Sequence, residues 1–448
     1  MTKKLFFLSI ALLGGAGILS AQTEAKRAVA ETPMTISELF DKVEAGSRSL
    51  AVQKTGVEKA QKGIEWARSQ RLPDIDASLS VSYIGNVLMT DRDFSNGNWL
   101  KSPHFGNSFS VQAQQVVYSG GAITAGIKLA ELGKQQAEAG VKFTRQQTRF
   151  LALGQYLDLY KVDNRIKVYE KNIELTRRLI ADIEEKQKQG MALRNDITRY
   201  ELQMETLKLG LISLKNNREI INHQLCNALG IDTSMKIVPD TTLTASFGED
   251  KRVGLDGEEA WQRRSLVSSP LIEQSALGVR ISEQNEKIAK SEMLPKVAVV
   301  AANNFDGPIT FELPPIDKNL NVWYFGLGVK YNLGSLYKSN KRVKQQAIAT
   351  REARESYDVQ LERLSNQVQA AYVQYQQTYV ELATRKKNVE LACQNYDVIN
   401  ARYLNQLALV TDMVDASNVR LSAELLEVDA RIEIVYAYYR MKFAAGEI

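Results

Sequence analysis

Proline is scarce in this chain and unevenly placed. The nine prolines stand at 33, 73, 103, 239, 270, 295, 308, 314 and 315, so residues 104–238 and 316–448 contain none. Proline removes a backbone donor and clashes with the preceding turn, so both gaps are open to very long helices. Cysteine is rarer still. Cys226 and Cys393 are too few for a disulfide framework. Both sit in helical patterns and read as small buried hydrophobes. The two histidines, His104 and His223, stand alone, which excludes a histidine-based metal cluster. No phosphate-binding loop is present: Gly326-Leu-Gly328 falls inside an alternating segment, not at a strand-to-helix turn. No motif groups serine and aspartate with a histidine. A hydrolase has no support, and neither a cofactor nor an enzymatic activity is expected.

Long apolar runs are missing too. Beyond the N-terminus nothing approaches the roughly 20 residues of a transmembrane helix. The N-terminus itself reads as a secretory signal over residues 1–21, with Lys3 and Lys4, an apolar stretch from Leu5 to Leu19, and Ser20-Ala21-Gln22 as the cleavage point. Removing those two lysines takes the formal charge from +5 to +3. That balance is too even to argue for nucleic acid. An exported chain without a spanning helix is either soluble or crosses a membrane as a β-barrel.

What the sequence does contain is a repeat. In the first half, Ile36 to Ala45 and Leu50 to Gln70 read as helices, and Leu72-Pro73 stops the second. Ile75, Ala77, Leu79, Val81 and Tyr83 then alternate with Asp76, Ser78, Ser80 and Ser82, the period of a strand with one apolar face. A polar loop follows, then a second alternating run from Phe109. Val117-Tyr-Ser-Gly-Gly121 opens a long helical block. The second half repeats this order. A helix from Ile272 to Met293 ends at Leu294-Pro295, and a strand and a loop follow. Trp323, Phe325, Leu327 and Val329 then alternate with Tyr324, Gly326, Gly328 and Lys330, before a second helical block. Pro73 and Pro295 differ by 222 positions, and Gly120 and Gly334 by 214.

The long blocks carry apolar residues at spacings of three, four and seven, such as Leu361, Leu364, Val368, Tyr372, Tyr375 and Tyr379. This is coiled-coil patterning. Each block is broken once, at Gln189 to Asp196 and at Asn405 to Asp412, and Asp196 and Asp412 differ by 216. The expected organisation is therefore a signal over 1–21 and a first repeat over 22–230. That repeat holds strands 75–84 and 108–117 and helices 121–189 and 195–229. A linker spans 231–255. The second repeat spans 256–448, with strands 296–304 and 322–333 and helices 335–404 and 411–446. The fold class is mainly α with a membrane β-barrel portion. At 1.5 Å per residue, the first long helix would run on the order of 100 Å.

This order of strands, helices and breaks resembles the TolC-like outer membrane efflux protein family over nearly the whole chain. The specific marks are Leu-Pro before a strand in each half, Val-Tyr-Ser-Gly-Gly at 117–121 and Thr-Asp-Met-Val-Asp-Ala at 411–416. The resemblance implies a homotrimer with a shared twelve-stranded barrel in outer membrane lipid and a helical periplasmic tunnel. It implies an exit duct for tripartite efflux or type I secretion, serving a periplasmic adaptor (membrane fusion) protein and an inner-membrane transporter of RND or ABC type. By the same resemblance Asp412 and Asp415 form the tip constriction, and Asp196 and Tyr403 latch the closed state. The tips that meet the adaptor are Gly190, Met191, Ala192 and Leu193, and Gln406, Leu407, Ala408 and Leu409. This chain departs from the pattern twice: Gln406 replaces a glycine, and Ala408 stands where an arginine is frequent. From the residues alone, helix capping is the favoured reading of Asp196 and Asp412. The competing architecture is a soluble periplasmic coiled-coil adaptor or tether.

Overall fold

A computed structural model describes residues 31–240, 257–405 and 407–448. The expected signal, much of the expected linker, and Gln406 lie outside the described residues. The first repeat begins with strand β1 (Glu31–Met34), helix α1 (Ile36–Gly46) and helix α2 (Arg48–Ser69). Strands β2 (Asp74–Tyr83) and β5 (Phe105–Tyr118) follow, enclosing a small hairpin, β3 (Val87–Met89) with β4 (Asn98–Leu100). Helices α3 (Ala122–Lys188) and α4 (Arg194–Leu229) complete the repeat, and β6 (Lys236–Pro239) comes after them. The second repeat holds α5 (Glu258–Ser268), α6 (Pro270–Ser291), β7 (Lys296–Gly307), β8 (Leu320–Lys330), α7 (Ser335–Leu404) and α8 (Val410–Ala444).

The duplication is visible in the lengths. Helices α1 and α5 have 11 residues each, and α2 and α6 have 22 each. Helices α3 and α7 have 67 and 70, and α4 and α8 have 36 and 35. Four features depart from the sequence reading. The expected polar loop after β2 holds the β3–β4 hairpin and the first residues of β5. Helix α5 was not anticipated. The 231–255 segment contains β6, which pairs in parallel with β1, Glu31 opposite Lys236. The last strand ends at Lys330 and not at 333, because the backbone turns there: the Ser335 N–H reaches the Asn332 carbonyl at 2.9 Å and starts α7.

Strands β2, β5, β7 and β8 form one antiparallel sheet in that order. Its two faces differ chemically. One presents Ile75, Leu79 and Tyr83 from β2 and Trp323, Phe325 and Leu327 from β8, all exposed, with Tyr83 at 79% and Trp323 at 74%. The other carries Asp76, Ser78, Gln112, Asn304 and Asp306, knitted by hydrogen bonds from Ser78 to Ser110 and from Ser108 to Asp306. An apolar face this extensive is unstable in water and suits lipid, while the polar face suits a wet lumen. Within the described residues, strands β2 and β8 each have one unpaired edge. Among the described residues, no helix is long and apolar enough to cross a membrane.

The helices form a layer beneath the sheet. Helix α3 packs along α2 and α6 near the sheet and along α4 and α8 away from it, and α7 packs on α6 and then on α8. The C-terminus of α4 therefore abuts the start of α2. A side-chain carbon on Gly46 would lie 1.8 Å from the Leu229 carbonyl oxygen, so only glycine fits there. The end of α8 abuts the α5–α6 joint in the same way, at Gly446 and Ser268. Across the first joint, Met34, Leu39 and Val43 pack on Leu153, Tyr156 and Leu225. The Tyr156 hydroxyl donates to the Met34 carbonyl at 2.6 Å and accepts from the Asp240 N–H at 2.9 Å. Cys226 is buried in this core, whereas Cys393 is only half-buried; both are free thiols.

Candidate functional site

The far ends of the two helical hairpins meet in one small core. Ile183, Ile197 and Tyr200 from the first hairpin pack with Tyr396, Val410, Met413 and Ala416 from the second, and Tyr403, Ala192 and Ile399 border them. These residues are far from the sheet along α3 and α7, so the core fixes the tips against each other.

Each tip stops and restarts its helix by the same backbone bonds. At the first, Gly190 takes the left-handed conformation, φ +75°, which costs glycine little. The Met191 N–H then reaches back to the Lys186 carbonyl at 2.8 Å. At the second, the Leu407 N–H makes the equivalent bond to the Arg402 carbonyl, also at 2.8 Å. Leu193 and Leu409 are the N-cap residues of α4 and α8. Leucine has no side-chain acceptor, so only half of a capping box forms. The Asp196 carboxylate accepts from the Leu193 N–H at 3.0 Å, and the Asp412 carboxylate accepts from the Leu409 N–H at 3.0 Å.

Asp196 and Asp412 thus each hold the first turn of the helix that follows the break. Asp415, one turn further along α8, is exposed and has no hydrogen bond or ion pair among the described residues. Asp412 is exposed beside it. Asp196 and Tyr403 lie near each other, but no hydrogen bond joins them. Burial pushes the Tyr403 hydroxyl above its ordinary pKa, and the Asp196 charge adds to this. The Lys186 ammonium sits 5.0 Å over the Tyr403 ring, a cation–π contact that crosses from one hairpin to the other. Met191, Leu193, Leu407 and Leu409 are exposed, and Ala192 and Ala408 are half-buried.

Two participants were not anticipated from sequence. Tyr200 is buried at the centre of the tip core, and among the described residues its hydroxyl has no hydrogen-bond partner. Its pKa is raised, first by burial and then by the nearby Tyr403, Tyr396 and Asp196. Arg402 caps the second tip by donating to the Leu407 carbonyl at 3.2 Å. The signal for Tyr200 was available: it lies one turn after Asp196, on the same side of α4 as Ile197. Among the described residues, no group of histidine, cysteine, aspartate and glutamate could hold a metal ion.

A sequence profile of the outer membrane efflux protein family matches residues 39–231 and 261–447, which are the two repeats. Outer membrane efflux protein BepC of Brucella suis biovar 1 (strain 1330) is 19% identical over 416 residues, covering 92% of this chain and 86% of that protein. Among solved structures, CusC superposes with a TM-score of 0.77 at 12% identity, over 92% of each chain. VceC of Vibrio cholerae gives 0.72 at 14% identity, over 92% of this chain and 96% of the other. These likenesses leave no place for a soluble adaptor. The chain belongs to the outer membrane efflux protein family: it is an efflux channel of the outer membrane that extends into the periplasm, and not an enzyme.

Proposed function

We propose that three copies of this chain form one continuous duct and that substrates cross it passively. The observation that carries this reading is the four-stranded sheet with an apolar face and two free edges. Unpaired backbone groups are costly in lipid, so β2 of one copy needs β8 of another, and three copies give twelve strands. The helices support the same closure. Exposed Leu202 and Leu209 stand a heptad apart on α4. Val373 and Val380, and likewise Leu391 and Val398, stand a heptad apart on α7. Helices α4 and α7 lie at opposite margins of the layer, so these stripes would interlock between copies. The loops near 86–107 and 305–321 would then face the exterior.

In this reading Asp412 and Asp415 line the narrow periplasmic end, Asp196 and Tyr403 hold it closed, and the exposed leucines of both tips meet an adaptor protein. An inner-membrane transporter of RND or ABC type supplies the energy. The test is the mass and conductance of the purified chain. Light scattering in detergent should give three chains per particle, and planar bilayers should show discrete channels without added nucleotide. A monodisperse single chain, or trimers that never conduct, would end this reading.

A further inference from the structure

A cavity of about 850 Å³ that none of the roles above uses lies over α3, between α8 on one side and the start of α2 with the end of α4 on the other. Its apolar wall is made by Phe150, Tyr436 and Phe443. The Phe150 ring stacks on Phe443 at 4.7 Å and leans on Tyr436 at 5.4 Å. Leu151 joins them and is left 61% exposed, unusual for leucine within a helical layer. The charged groups of the lining are three acids and two bases: Asp158, Asp429 and Glu433 against Arg48 and Lys161. They are not evenly paired. Asp429 is engaged by Arg165, and by Lys161 at 3.4 Å. Asp158 and Glu433 have no hydrogen bond or ion pair among the described residues. Neighbouring atoms crowd both carboxyls, and burial raises the pKa of each. For Glu433, Lys161 and Arg440 act against the rise, while Glu381 and Asp158 add to it.

The position of the cavity follows from helix geometry. On α3, Tyr156 bonds Met34, and the Arg149 guanidinium sits over Phe40, so α1 and β1 cover that side. At 100° per residue, Leu151, Gly154, Asp158 and Lys161 project from the opposite side. A tunnel wall can carry α1 and β1 only outside, where they do not fill the bore. Resting on the trimeric duct proposed above, the cavity therefore opens into the tunnel, far from both the membrane and the tips.

We infer that this cavity is a transit site for amphiphilic organic cations moving along the duct. Its volume is in the range of small-molecule sites. The aromatic wall offers ring faces to a cation and apolar surface to its body. Asp158 and Glu433 supply charge that no cation among the described residues neutralises by direct contact. An anionic solute of the same size meets two crowded carboxylates and is disfavoured.

The test uses the full-length purified protein, with its mass checked first, so that a failure of trimer formation is seen separately. Fluorescence anisotropy of rhodamine 6G, an aromatic cation, should saturate, while the anion fluorescein should not bind. Asp158→Asn with Glu433→Gln should weaken rhodamine 6G binding roughly tenfold, about the effect of losing one ionic contact. Leu151→Lys, an exposed position where folding is not at risk, should weaken it similarly. Trimers of both variants that bind rhodamine 6G as the parent does, or a parent that binds fluorescein equally well, would overturn the inference. A chain found as a single copy that still binds through these residues would overturn the transit role and the tunnel together.

Discussion

At the first tip the Met191 N–H reaches the Lys186 carbonyl, and at the second the Leu407 N–H reaches the Arg402 carbonyl, both at 2.8 Å. The positions correspond one for one at an offset of 216: Asp196 with Asp412, Ile197 with Met413, Tyr200 with Ala416. The backbone and the capping aspartate have been kept while the turn residue and the core side chains have diverged. Where the first tip turns on a left-handed glycine, the second has Gln406. Where the second supplies a small alanine to the shared core, the first supplies a tyrosine. The backbone bonds are demanded by any helix that must stop and restart, so duplication preserves them. The core between the tips needs only total volume, so one copy can grow as the other shrinks.

The largest effects should come from the two fully buried counterparts. Ile197→Ala and Met413→Ala should each cost about 2–5 kcal/mol, read as faster hydrogen exchange at both tips. Because the two share one cluster, the double variant should lose less than the sum. Strict additivity would show that the tips open independently. Next comes Gly190→Ala, where φ of +75° strains an L side chain by about 1–2 kcal/mol. Exchange should quicken over residues 186–194 and stay unchanged over 407–414; equal quickening at both would deny the asymmetry.

A smaller change of opposite sign is expected for Tyr200→Phe. Removing an unpartnered buried hydroxyl should stabilise the tip by about 1 kcal/mol. Slower exchange around residue 200 would agree, and faster exchange would reveal a partner gained in the assembled protein. The smallest effect on stability belongs to Asp412→Asn with Asp415→Asn. A carboxylate near a helix start is worth only about 0.3–1 kcal/mol. Ion selectivity is the separating measurement. If the pair lines a constriction, cation preference in single-channel recordings should fall; unchanged selectivity in intact trimers would leave Asp412 as a cap and nothing more.

The strands and long helices could be read from sequence because their causes are local. Alternation over Ile75 to Tyr83 and over Trp323 to Val329, bounded by proline and glycine, needs no knowledge of the rest of the chain. Helix α5 was overlooked although the repeat pointed to it: Ile36, the start of α1, advanced by the 222-residue offset of the prolines, gives 258. The β1–β6 pair was beyond such reading. Each strand has 4 residues, too few to show a period, and they meet across about two hundred positions of chain. At the tips, the aspartates were visible as cap residues, whereas the role of Tyr200 depends on what the second repeat places opposite it. The cavity at Asp158 and Glu433 is likewise a product of distant segments, α3 and α8 with the start of α2 and the end of α4, and no single one announces it.

The joints where α4 meets α2 and α8 meets α6 have a mechanical consequence. They are bridged by α3 and α7, which run past them unbroken, so α3 behaves as a stiff rod held near its middle by the core around Tyr156. From Tyr156 to the end of α3 at Lys188 the rod extends about 50 Å, at 1.5 Å per residue. A tilt of one degree at that fulcrum swings the far end by roughly 0.9 Å, from the same rise per residue. Small rotations at the waist are thereby amplified into larger displacements of the far helix end.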